Sequence, residues 1–376
     1  METRKIQTVG GGTYTVSLPK EWAEANGVAA GTEVHLHAHI DDLLVVELGE
    51  REDDARRAAV VVDSEDPDRL ERALRATYAA GFEEVAFRSE TAFTRDQRRV
   101  VEDVAGTLVG VALADESESL LTVRTLLDPD EVSVGQSVRQ LQFVALSMHR
   151  EATAALTREG GAEPLPDRDD EADRLFRMVD RHFARGLSRL AEVDALGLTR
   201  PELFELRTTA RELERVADHA ERVAAVAAAV DEVPASAADD IEALGGRSRS
   251  VVEDAVSAVL GDADLDAAHR ALADRDDVRE RASTVDRRLF EAADADYRLA
   301  RVVDSLRRTA EHGGNVAELG LRSALRRGER AETGAGDRAK TGAGDRAKTG
   351  AGDRDDEATD DDGCSGATRA PAEHDE

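Results

Sequence analysis

The sequence predicts a multidomain protein with a β-rich N-terminal unit at residues 1–50, a small α/β module at 51–130 and an all-α body at 131–328. Three observations predict this order. In the first segment, apolar and polar residues alternate between glycine-rich turns, which is typical of strands. In the second, short apolar runs alternate with amphipathic stretches, which indicates mixed strands and helices. In the third, apolar residues recur at steps of three and four, which predicts helices.

The N-terminal unit is predicted to contain two hairpins around a short helix. Pro19 opens the helix, since proline suits the first helical turn, and Gly27 ends it as a left-handed cap. The predicted strands are Arg4–Val9, Thr13–Leu18, Glu33–Ile40 and Leu43–Leu48, and the predicted helix is Pro19–Asn26. About fifty residues make a small independent core, so we expect this unit to complete its core as a homodimer.

The α/β module is predicted from six short elements. The strands are Ala58–Asp63, Glu84–Arg88, Val109–Asp115 and Leu120–Leu126, and the helices are Pro67–Ala80 and Thr94–Thr107. The segment contains neither a glycine motif that cradles phosphate nor a nucleophile with a base and an acid. These features predict a spacer or a sensor domain, and the sequence favours neither.

The all-α body divides into six predicted helices at glycine- and proline-containing breaks. The helices are 131–158, 168–196, 201–230, 236–260, 264–293 and 297–326. They form two consecutive sets of three with similar loop positions, which indicates an internal repeat of about a hundred residues. The two repeats, 131–230 and 236–326, are therefore predicted to form a pair of antiparallel three-helix bundles.

The charge balance is strongly acidic. The chain has 80 acidic and 50 basic residues, a formal charge of −30, and only four of the bases are lysine. Such a surface is tolerated where salt screens its self-repulsion, with a Debye length of about 3 Å at 1 M. We therefore expect a halophilic, archaeal protein. The alternative is an acidic interaction protein from an ordinary cell.

The chain shows no targeting or membrane signal. Its start, METRKIQTVGGG, has no apolar core of a signal peptide, and no segment approaches the roughly 20 apolar residues that span a bilayer. The single cysteine, Cys364, excludes a disulfide framework. We expect a cytoplasmic protein without membrane insertion, and a disordered acidic tail at 329–376 because that segment lacks apolar residues.

The N-terminal unit resembles the swapped-hairpin DNA-binding domain of AbrB- and SpoVT-type transcription factors, over the run RKIQTVGGGTYTVSLPKEWAEANGVAAGTEV. This resemblance covers almost all of residues 3–48. It implies that two chains interlace their hairpins and that basic residues near the first strand contact DNA. By position, it assigns to DNA the residues Arg4, Lys5 and Lys20, with Thr13 and Tyr14 beside them as polar contacts.

The local charge supports DNA binding at only one end of this unit. Residues 1–20 carry three bases and one acid, a net charge of +2, whereas residues 21–50 carry seven acids and no lysine or arginine. DNA affinity that depends on few phosphate contacts falls steeply with salt. The alternative is therefore a dimerisation module that does not bind DNA.

A second candidate site lies in the run ELERVADHAERVA. Glu214 and Asp218 are four residues apart, so their carboxylates share one face of a helix. Two like charges at this spacing repel by about 0.2–0.5 kcal/mol on an exposed helix. Solvent and salt, nearby arginines (Arg211, Arg215 and Arg222) or a bound cation can offset the repulsion. The residues alone leave these alternatives open.

The all-α body is similar to the PhoU family of phosphate-uptake regulators, in DRDDEADRLFRMVDRHFARGL and in ELERVADHAERVA. The resemblance implies two three-helix repeats that bind metal ions through facing acidic motifs. In this chain it assigns the metal ligands Asp169, Asp173, Glu214 and Asp218. Carboxylates suit hard cations, so Mg, Mn or Fe(III) is the expected cofactor.

The second repeat departs from this pattern. Arg307 stands where Glu214 stands in the first repeat, and Ala282 replaces an acid on the partner helix. We expect the second metal site to be lost or weak, with Arg307 paired to Asp286 or Glu311. His219 and His312 occupy matching positions in the two repeats, and we interpret them as packing or hydrogen-bonding residues before ligands.

Together the two resemblances imply a non-enzymatic regulator of phosphate uptake. It would bind DNA through an AbrB-like dimer and sense phosphate status through the helical body. The alternative is an adaptor without DNA binding that docks on the ATPase of a phosphate ABC transporter or on a signalling partner.

Overall fold

In a computed structural model of the chain, the residues described are 3–10, 12–39, 43–48, 57–156, 168–230, 233–292 and 296–328. The predicted acidic tail, residues 329–376, lies outside the described residues.

The N-terminal unit forms the two predicted hairpins. Its elements are β1 Gln7–Val9, β2 Thr13–Thr15, α1 Lys20–Ala25, β3 Val34–His39 and β4 Leu43–Leu48. Both hairpins are antiparallel, with Thr8 opposite Tyr14 and Leu36 opposite Val46. Gly27 has φ +69° directly after α1, which confirms the left-handed cap. The first two strands are shorter than predicted.

Within its described residues, this unit has no core of its own in a single chain. None of its described residues is buried, and large apolar side chains such as Ile6 and Tyr14 are 70% and 76% exposed. Exposed apolar area of this extent marks an interaction surface. The prediction that a second copy completes this core stays a prediction.

The α/β module consists of β5 Arg57–Val62, α2 Pro67–Ala79, β6 Glu84–Ser89, α3 Arg95–Thr107, β7 Val111–Glu116 and β8 Leu120–Thr125. Its four strands form one sheet in the order β5-β6-β8-β7. Strand β5 is parallel to β6, and the other pairs are antiparallel. Leu70, Leu74 and Tyr78 of the first helix pack with Phe87 and Leu121 of the sheet in one apolar core.

Local signals explain both helix starts of the module. Asp66 caps α2 by accepting from the backbone N–H of Asp68, with Pro67 at the first helical position. Thr94 and Gln97 form a reciprocal capping box at the start of α3.

The described residues of the helical body form helices α4 to α10. Their bounds are α4 Val134–Ala155, α5 Arg168–Gly186, α6 Leu190–Ala195, α7 Arg200–Ala227, α8 Ala235–Leu260, α9 Leu265–Glu291 and α10 Arg298–Arg326. The body begins with a short 3-10 turn at Pro129–Glu131, and Ser133 then caps α4.

The prediction of one helix over 168–196 was wrong. The chain leaves the helix after Gly186, and Arg189 is extended, with φ −131° and ψ 119°. Glycine is a poor helix former, and α7 approaches closely here, since a Cβ at Gly186 would lie 2.7 Å from Leu203 Cδ2. Helix α5 ends at this glycine, and α6 follows as a separate short helix.

One apolar core runs through both sets of three helices. Helix α7 packs on α4 and α5 in the first set, α10 packs on α8 and α9 in the second, and α7 packs on α10 between the sets. The predicted apolar stripe of α7 is confirmed as buried at Leu206, Leu213, Val216, Ala220, Val223 and Ala227. Val230 follows the end of α7 and is only partly buried.

Candidate functional site

The residues assigned to DNA lie on the surface of the N-terminal unit. Thr13 and Tyr14 are in β2, directly opposite Val9 and Thr8 of β1, while Arg4 and Lys5 precede β1 in the chain. All four are exposed. These residues therefore belong to one hairpin, with the bases at the entry to its first strand.

Lys20 lies apart from that hairpin in sequence. It is the first residue of α1 and forms an exposed ion pair with Glu24, with 3.5 Å between Nζ and Oε1. An exposed pair at this spacing is worth about 0.3–0.5 kcal/mol, so Lys20 remains able to exchange its partner for a phosphate.

The four predicted metal ligands lie on two packed helices. Asp169 and Asp173 are in the first turns of α5, and Glu214 and Asp218 are in the middle of α7. Each pair is one helical turn apart, so each pair shares one face of its helix. In the structure, the charges of Asp173 and Asp218 act on both Asp169 and Glu214, and Glu221 of α7 acts on Asp169 as well.

The proximity of these carboxylates and their burial raise the pKa values of two of them. Burial, together with the charges of Glu221, Asp173 and Asp218, raises the pKa of Asp169 to about 6. Burial also raises the pKa of Glu214, and Asp218 and Asp173 add to the effect while Arg211 opposes it. Both shifts mean that negative charge is disfavoured here, and a cation would relieve that cost.

Arginines on the same helices already hold three of the four carboxylates. Arg177 pairs with Asp173, Arg211 Nη1 lies 3.3 Å from Glu214 Oε2, and Arg222 Nη2 lies 3.7 Å from Asp218 Oδ2. These guanidinium groups supply part of the compensation that the sequence left open between arginine and a bound cation.

Two observations bear on whether a metal fits. Glu214 Oε2 is buried and accepts no hydrogen bond, because Arg211 Nη1 donates to Glu214 Oε1 and lies only within ion-pair distance, 3.3 Å, of Oε2. Carboxylate oxygens suit hard cations. Within the described residues, however, no group of three or more His, Cys, Asp or Glu side chains is close enough to hold a metal ion. The donor chemistry therefore fits a hard cation, but the ligands are not assembled around one point.

In the second repeat, an arginine side chain occupies the position that corresponds to Glu214. Arg307 of α10 donates to Glu311 Oε1 and to Asp304 Oδ1, each at 2.5 Å. Arg279 of α9 lies 3.7 Å from the same Glu311 oxygen. The predicted pairing of Arg307 with Glu311 is confirmed, and Asp304 is an additional partner.

A hydrogen-bond chain joins the two repeats between α7 and α10. Arg222 Nη1 lies 3.1 Å from His219 Nδ1, and His219 Nε2 lies 3.3 Å from His312 Nε2. Glu212 Oε2 closes the chain, 2.6 Å from His312 Nδ1 and 3.1 Å from Asn315 Nδ2.

Arg222 assigns the protons of this chain, because a guanidinium can only donate. His219 therefore accepts at Nδ1 and donates from Nε2 to His312, which donates from Nδ1 to Glu212. The two Nε2 atoms consequently share a proton and do not present two lone pairs to a metal. The interpretation of both histidines as hydrogen-bonding residues is confirmed, whereas the role of Glu212 was not predicted.

The contact between α5 and the α/β module is a site that the sequence analysis missed. Arg181 is almost fully buried, donates from Nη1 to the carbonyl oxygen of Tyr78 at 2.8 Å, and lies 4.9 Å above the Tyr78 ring. Glu83 Oε1 accepts from Arg185 Nη1 at 2.7 Å and from Arg189 Nη1 at 3.2 Å.

A buried carboxylate fixes α6 to the same end of α5. Glu192 accepts from Arg185 Nε at 2.7 Å and lies 2.6 Å from His182 Nδ1. Helix α6 in turn contacts strand β3 of the N-terminal unit. Helix α5 therefore carries the acidic pair at its start and the contacts to the α/β module towards its end, and α6, which follows it, contacts the N-terminal unit. The four-residue spacing of Arg177, Arg181, Arg185 and Arg189 was the available sequence signal.

The fold and these sites define a class of protein: a multidomain chain with a strand-rich N-terminal region followed by a helical body of two bundles. A known family model matches each of the two regions. Residues 138–227 match the PhoU domain, and residues 7–53 match "Antidote-toxin recognition MazE, bacterial antitoxin".

A crystal structure of PhoU from Pseudomonas aeruginosa is similar to the chain at 23% sequence identity, with a TM-score of 0.45. The similarity covers 52% of this chain and 96% of that one. No curated protein matches the chain. Among the residues that the structure describes, no helix has the length and apolarity required to span a bilayer.

Proposed function

We propose that the chain is a cytoplasmic, non-enzymatic regulator of phosphate uptake that binds DNA as a homodimer and responds to phosphate status through its helical body. The observation that carries this proposal is the presence of both family matches in one chain. The PhoU match spans α4, α5 and α7, which include the carboxylate cluster, and the MazE match contains the exposed hairpin.

The N-terminal hairpin supports DNA binding by its charge and exposure. Arg4 and Lys5 are exposed at the entry to β1 in a chain whose net charge is −30. Two copies in a dimer would double this local positive charge. Because phosphate contacts are few, base or shape readout must supply much of the specificity at high salt.

A DNA titration tests this proposal. An Arg4→Ala/Lys5→Ala variant is expected to lose at least about tenfold in affinity for fragments upstream of phosphate-transport genes. Its dependence on salt should also fall by about one unit of slope for each phosphate contact removed. An Arg95→Ala/Arg99→Ala variant, which removes the same charge from exposed positions on α3, is the matched control. Equal binding by both variants would contradict the assignment.

The four carboxylates of α5 and α7 are the proposed site of a hard divalent or ferric cation (Mg, Mn or Fe). Support comes from the raised pKa values of Asp169 and Glu214 and from the buried Glu214 Oε2, which is ion-paired with Arg211 but accepts no hydrogen bond. A cation bound by Asp169, Asp173, Glu214 and Asp218 would supply positive charge between the two helices. By binding the same ion, the two carboxylates of α5 and the two of α7 would link these helices more firmly.

Removing carboxylates from this cluster tests the cation site. Mn²⁺ affinity, measured by the paramagnetic resonance signal of the free ion, is expected to fall at least about tenfold in an Asp169→Asn/Asp218→Asn variant, because two of four anionic ligands are lost. An Asp96→Asn/Asp103→Asn variant on α3 removes the same charge elsewhere. Undiminished affinity in the cluster variant would place the ion elsewhere.

A specific observation favours a second candidate function. Residues 21–50 of the N-terminal unit carry seven acids and no lysine or arginine, which opposes DNA over that part of the surface. The hairpins would then only dimerise, and the helical body would dock on the ATPase of a phosphate transporter. A folded dimer that binds no fragment in the titration would select this function.

A further inference from the structure

Arg249 of α8 is a partly buried cation without a carboxylate partner. Within the described residues, no carboxylate lies within ion-pair distance of its guanidinium, although Glu253 stands four residues further along the same helix. Other partly buried arginines of the helical body, such as Arg177, Arg207 and Arg307, each pair with a carboxylate. Burying a charge costs free energy unless the charge is paired. The guanidinium of Arg249 therefore needs a counter-ion that the described side chains do not supply.

This guanidinium is held at the place where α8 packs on α4. Its Nη1 donates to His149 Nδ1 at 3.3 Å. It lies over two glycines, since a Cβ at Gly245 would be 3.4 Å from Nη1 and a Cβ at Gly246 would be 3.8 Å from Nη2. Helix α4 is close at the same point, because the Cβ at Gly245 would also lie 2.9 Å from Thr153 Cγ2. The two glycines thus leave the space in which the guanidinium sits.

His149 fixes this guanidinium without neutralising it. Burial, followed by the charge of Arg249, lowers the pKa of His149 to about 3, so the ring is neutral at pH 7. Because a guanidinium can only donate, Nδ1 accepts from Arg249 and the ring proton is on Nε2. That Nε2 is buried and has no hydrogen-bond partner. His149 therefore supplies an orienting lone pair and no negative charge.

A second uncompensated guanidinium acts on the first. Arg150 follows His149 on α4, is exposed, and has no carboxylate within ion-pair distance among the described residues. Burial lowers the pKa of Arg249, and the charge of Arg150 adds to the effect, while Glu253 and Glu242 act in the opposite direction. One anion between two guanidinium groups would stabilise both and relieve their repulsion.

We propose that Arg249 and Arg150 form a binding site for a small multivalent oxyanion of the phosphate type between α4 and α8. A guanidinium presents N–H donors in a fork that matches the oxygens of an oxyanion, and two guanidinium groups match its double charge. The exposure of Arg150 leaves this site open to solvent. The inference uses no residue of the carboxylate cluster, and it rests on the proposed function only in the choice of inorganic phosphate as the ligand.

The position of the site gives the anion a structural effect. Helix α4 belongs to the first set of three helices and α8 to the second, and the two helices are in contact. An anion bound by both arginines would therefore link the two sets. In this way the helical body would respond to phosphate directly.

Equilibrium dialysis of radiolabelled inorganic phosphate against the full-length protein tests the inference, at constant ionic strength in chloride. Relative to the unmodified protein, phosphate affinity is expected to fall at least about tenfold in Arg249→Gln and about threefold in the more exposed Arg150→Gln. Arg174→Gln removes the same charge from an exposed position on α5 and should change the affinity by less than about twofold. Glu253→Gln should tighten binding, because it removes a charge that repels the anion. Circular dichroism verifies that each variant is folded.

Competition identifies the class of ligand. Sulfate should displace phosphate, since it shares the tetrahedral shape and the double charge, whereas nitrate at the same ionic strength should not. Equal phosphate affinity in Arg249→Gln and the unmodified protein would overturn the inference and place any phosphate elsewhere, and so would displacement by nitrate as effective as that by sulfate. If no variant binds phosphate up to about 10 mM, the inference fails as well. The DNA titration contains no phosphate ligand and decides the proposed function separately.

Discussion

Replacing Glu192 by alanine is expected to lower the free energy of unfolding by about 3–5 kcal/mol. The Glu192 side chain is 1% exposed, and its carboxylate bonds Arg185 Nε and His182 Nδ1 at the junction of α5 and α6. Burial acts to raise the pKa of Glu192, but the hydrogen bonds from His182 and Arg185 outweigh it and lower the pKa. Removing the carboxylate would leave a buried guanidinium with Glu83 as its remaining carboxylate and a buried imidazole without its anion.

Chemical denaturation of the Glu192→Ala variant measures this effect. Glu102→Ala is the control, because Glu102 is an exposed glutamate on α3 and such substitutions usually stay within about 0.5 kcal/mol. Glu192→Gln, which keeps the size of the side chain but removes its charge, should fall between the two. A loss of less than about 1 kcal/mol in Glu192→Ala would mean that this network does not hold α6 against α5.

The contacts around Glu192 could not be predicted from the periodicity of the sequence. The arginines from Arg177 to Arg189 recur every four residues, so the sequence places them on one face of a helix. The partners of Arg181, Arg185 and Arg189, namely Tyr78 and Glu83, are about a hundred residues away in the α/β module. A helical pattern predicts which residues share a face but not which distant segment that face meets. The sequence therefore predicts a spacer or sensor module but not its contact with α5.

The carboxylate cluster was predictable for a different reason. The spacing of Glu214 and Asp218 is local, and so is the spacing of Asp169 and Asp173, so each pair follows from the helix alone. The ion pair of Arg307 with Glu311 is also local, and that prediction was confirmed. The three arginine pairs of the first repeat are local as well, because each lies within α5 or within α7. The mutual influence of the two acidic pairs, in contrast, depends on the relative position of α5 and α7.

The His219–His312 contact was partly predictable from the sequence. The internal repeat gives both histidines matching positions in the two sets of helices, and packing α7 against α10 brings equivalent positions together. Sequence alone did not predict that the two sets pack through these helices. Glu212 shows the remaining asymmetry, because the second repeat has Ser305 at the corresponding position and so offers His219 no carboxylate like the one with which Glu212 orients His312.

Between pH 7 and pH 5, His149 alone is expected to remove about 2 kcal/mol from the free energy of unfolding. His149 of α4 is 1% exposed, and its Nε2 is buried without a hydrogen-bond partner. The charged groups that face it are Arg249 of α8, His219 of α7 and Arg150 of its own helix. Burial, followed by the charges of Arg249, His219 and Arg150, lowers the pKa of His149 to about 3.

The direction of the effect follows from the two pKa values. The unfolded chain binds a proton at this histidine as the pH falls below about 6.5, whereas the folded protein does not bind it until the pH approaches about 3. Protonation therefore favours the unfolded state throughout this window, and stability falls as the pH falls. Asp169 acts in the opposite direction, because its pKa is raised to about 6 on folding.

A His149→Leu variant isolates the contribution of this residue. The quantity to compare is the change in unfolding free energy between pH 7 and pH 5, because the absolute stability also reflects the altered packing and the lost contact to Arg249 Nη1 at 3.3 Å. The unmodified protein should lose about 2 kcal/mol more than the variant over this interval, since Asp169 and His219 contribute to both. His269→Leu, at an exposed position on α9, is the matched control. An equal loss in the His149→Leu variant and the unmodified protein would show that His149 can be protonated in the folded state, through water or a movement of Arg249.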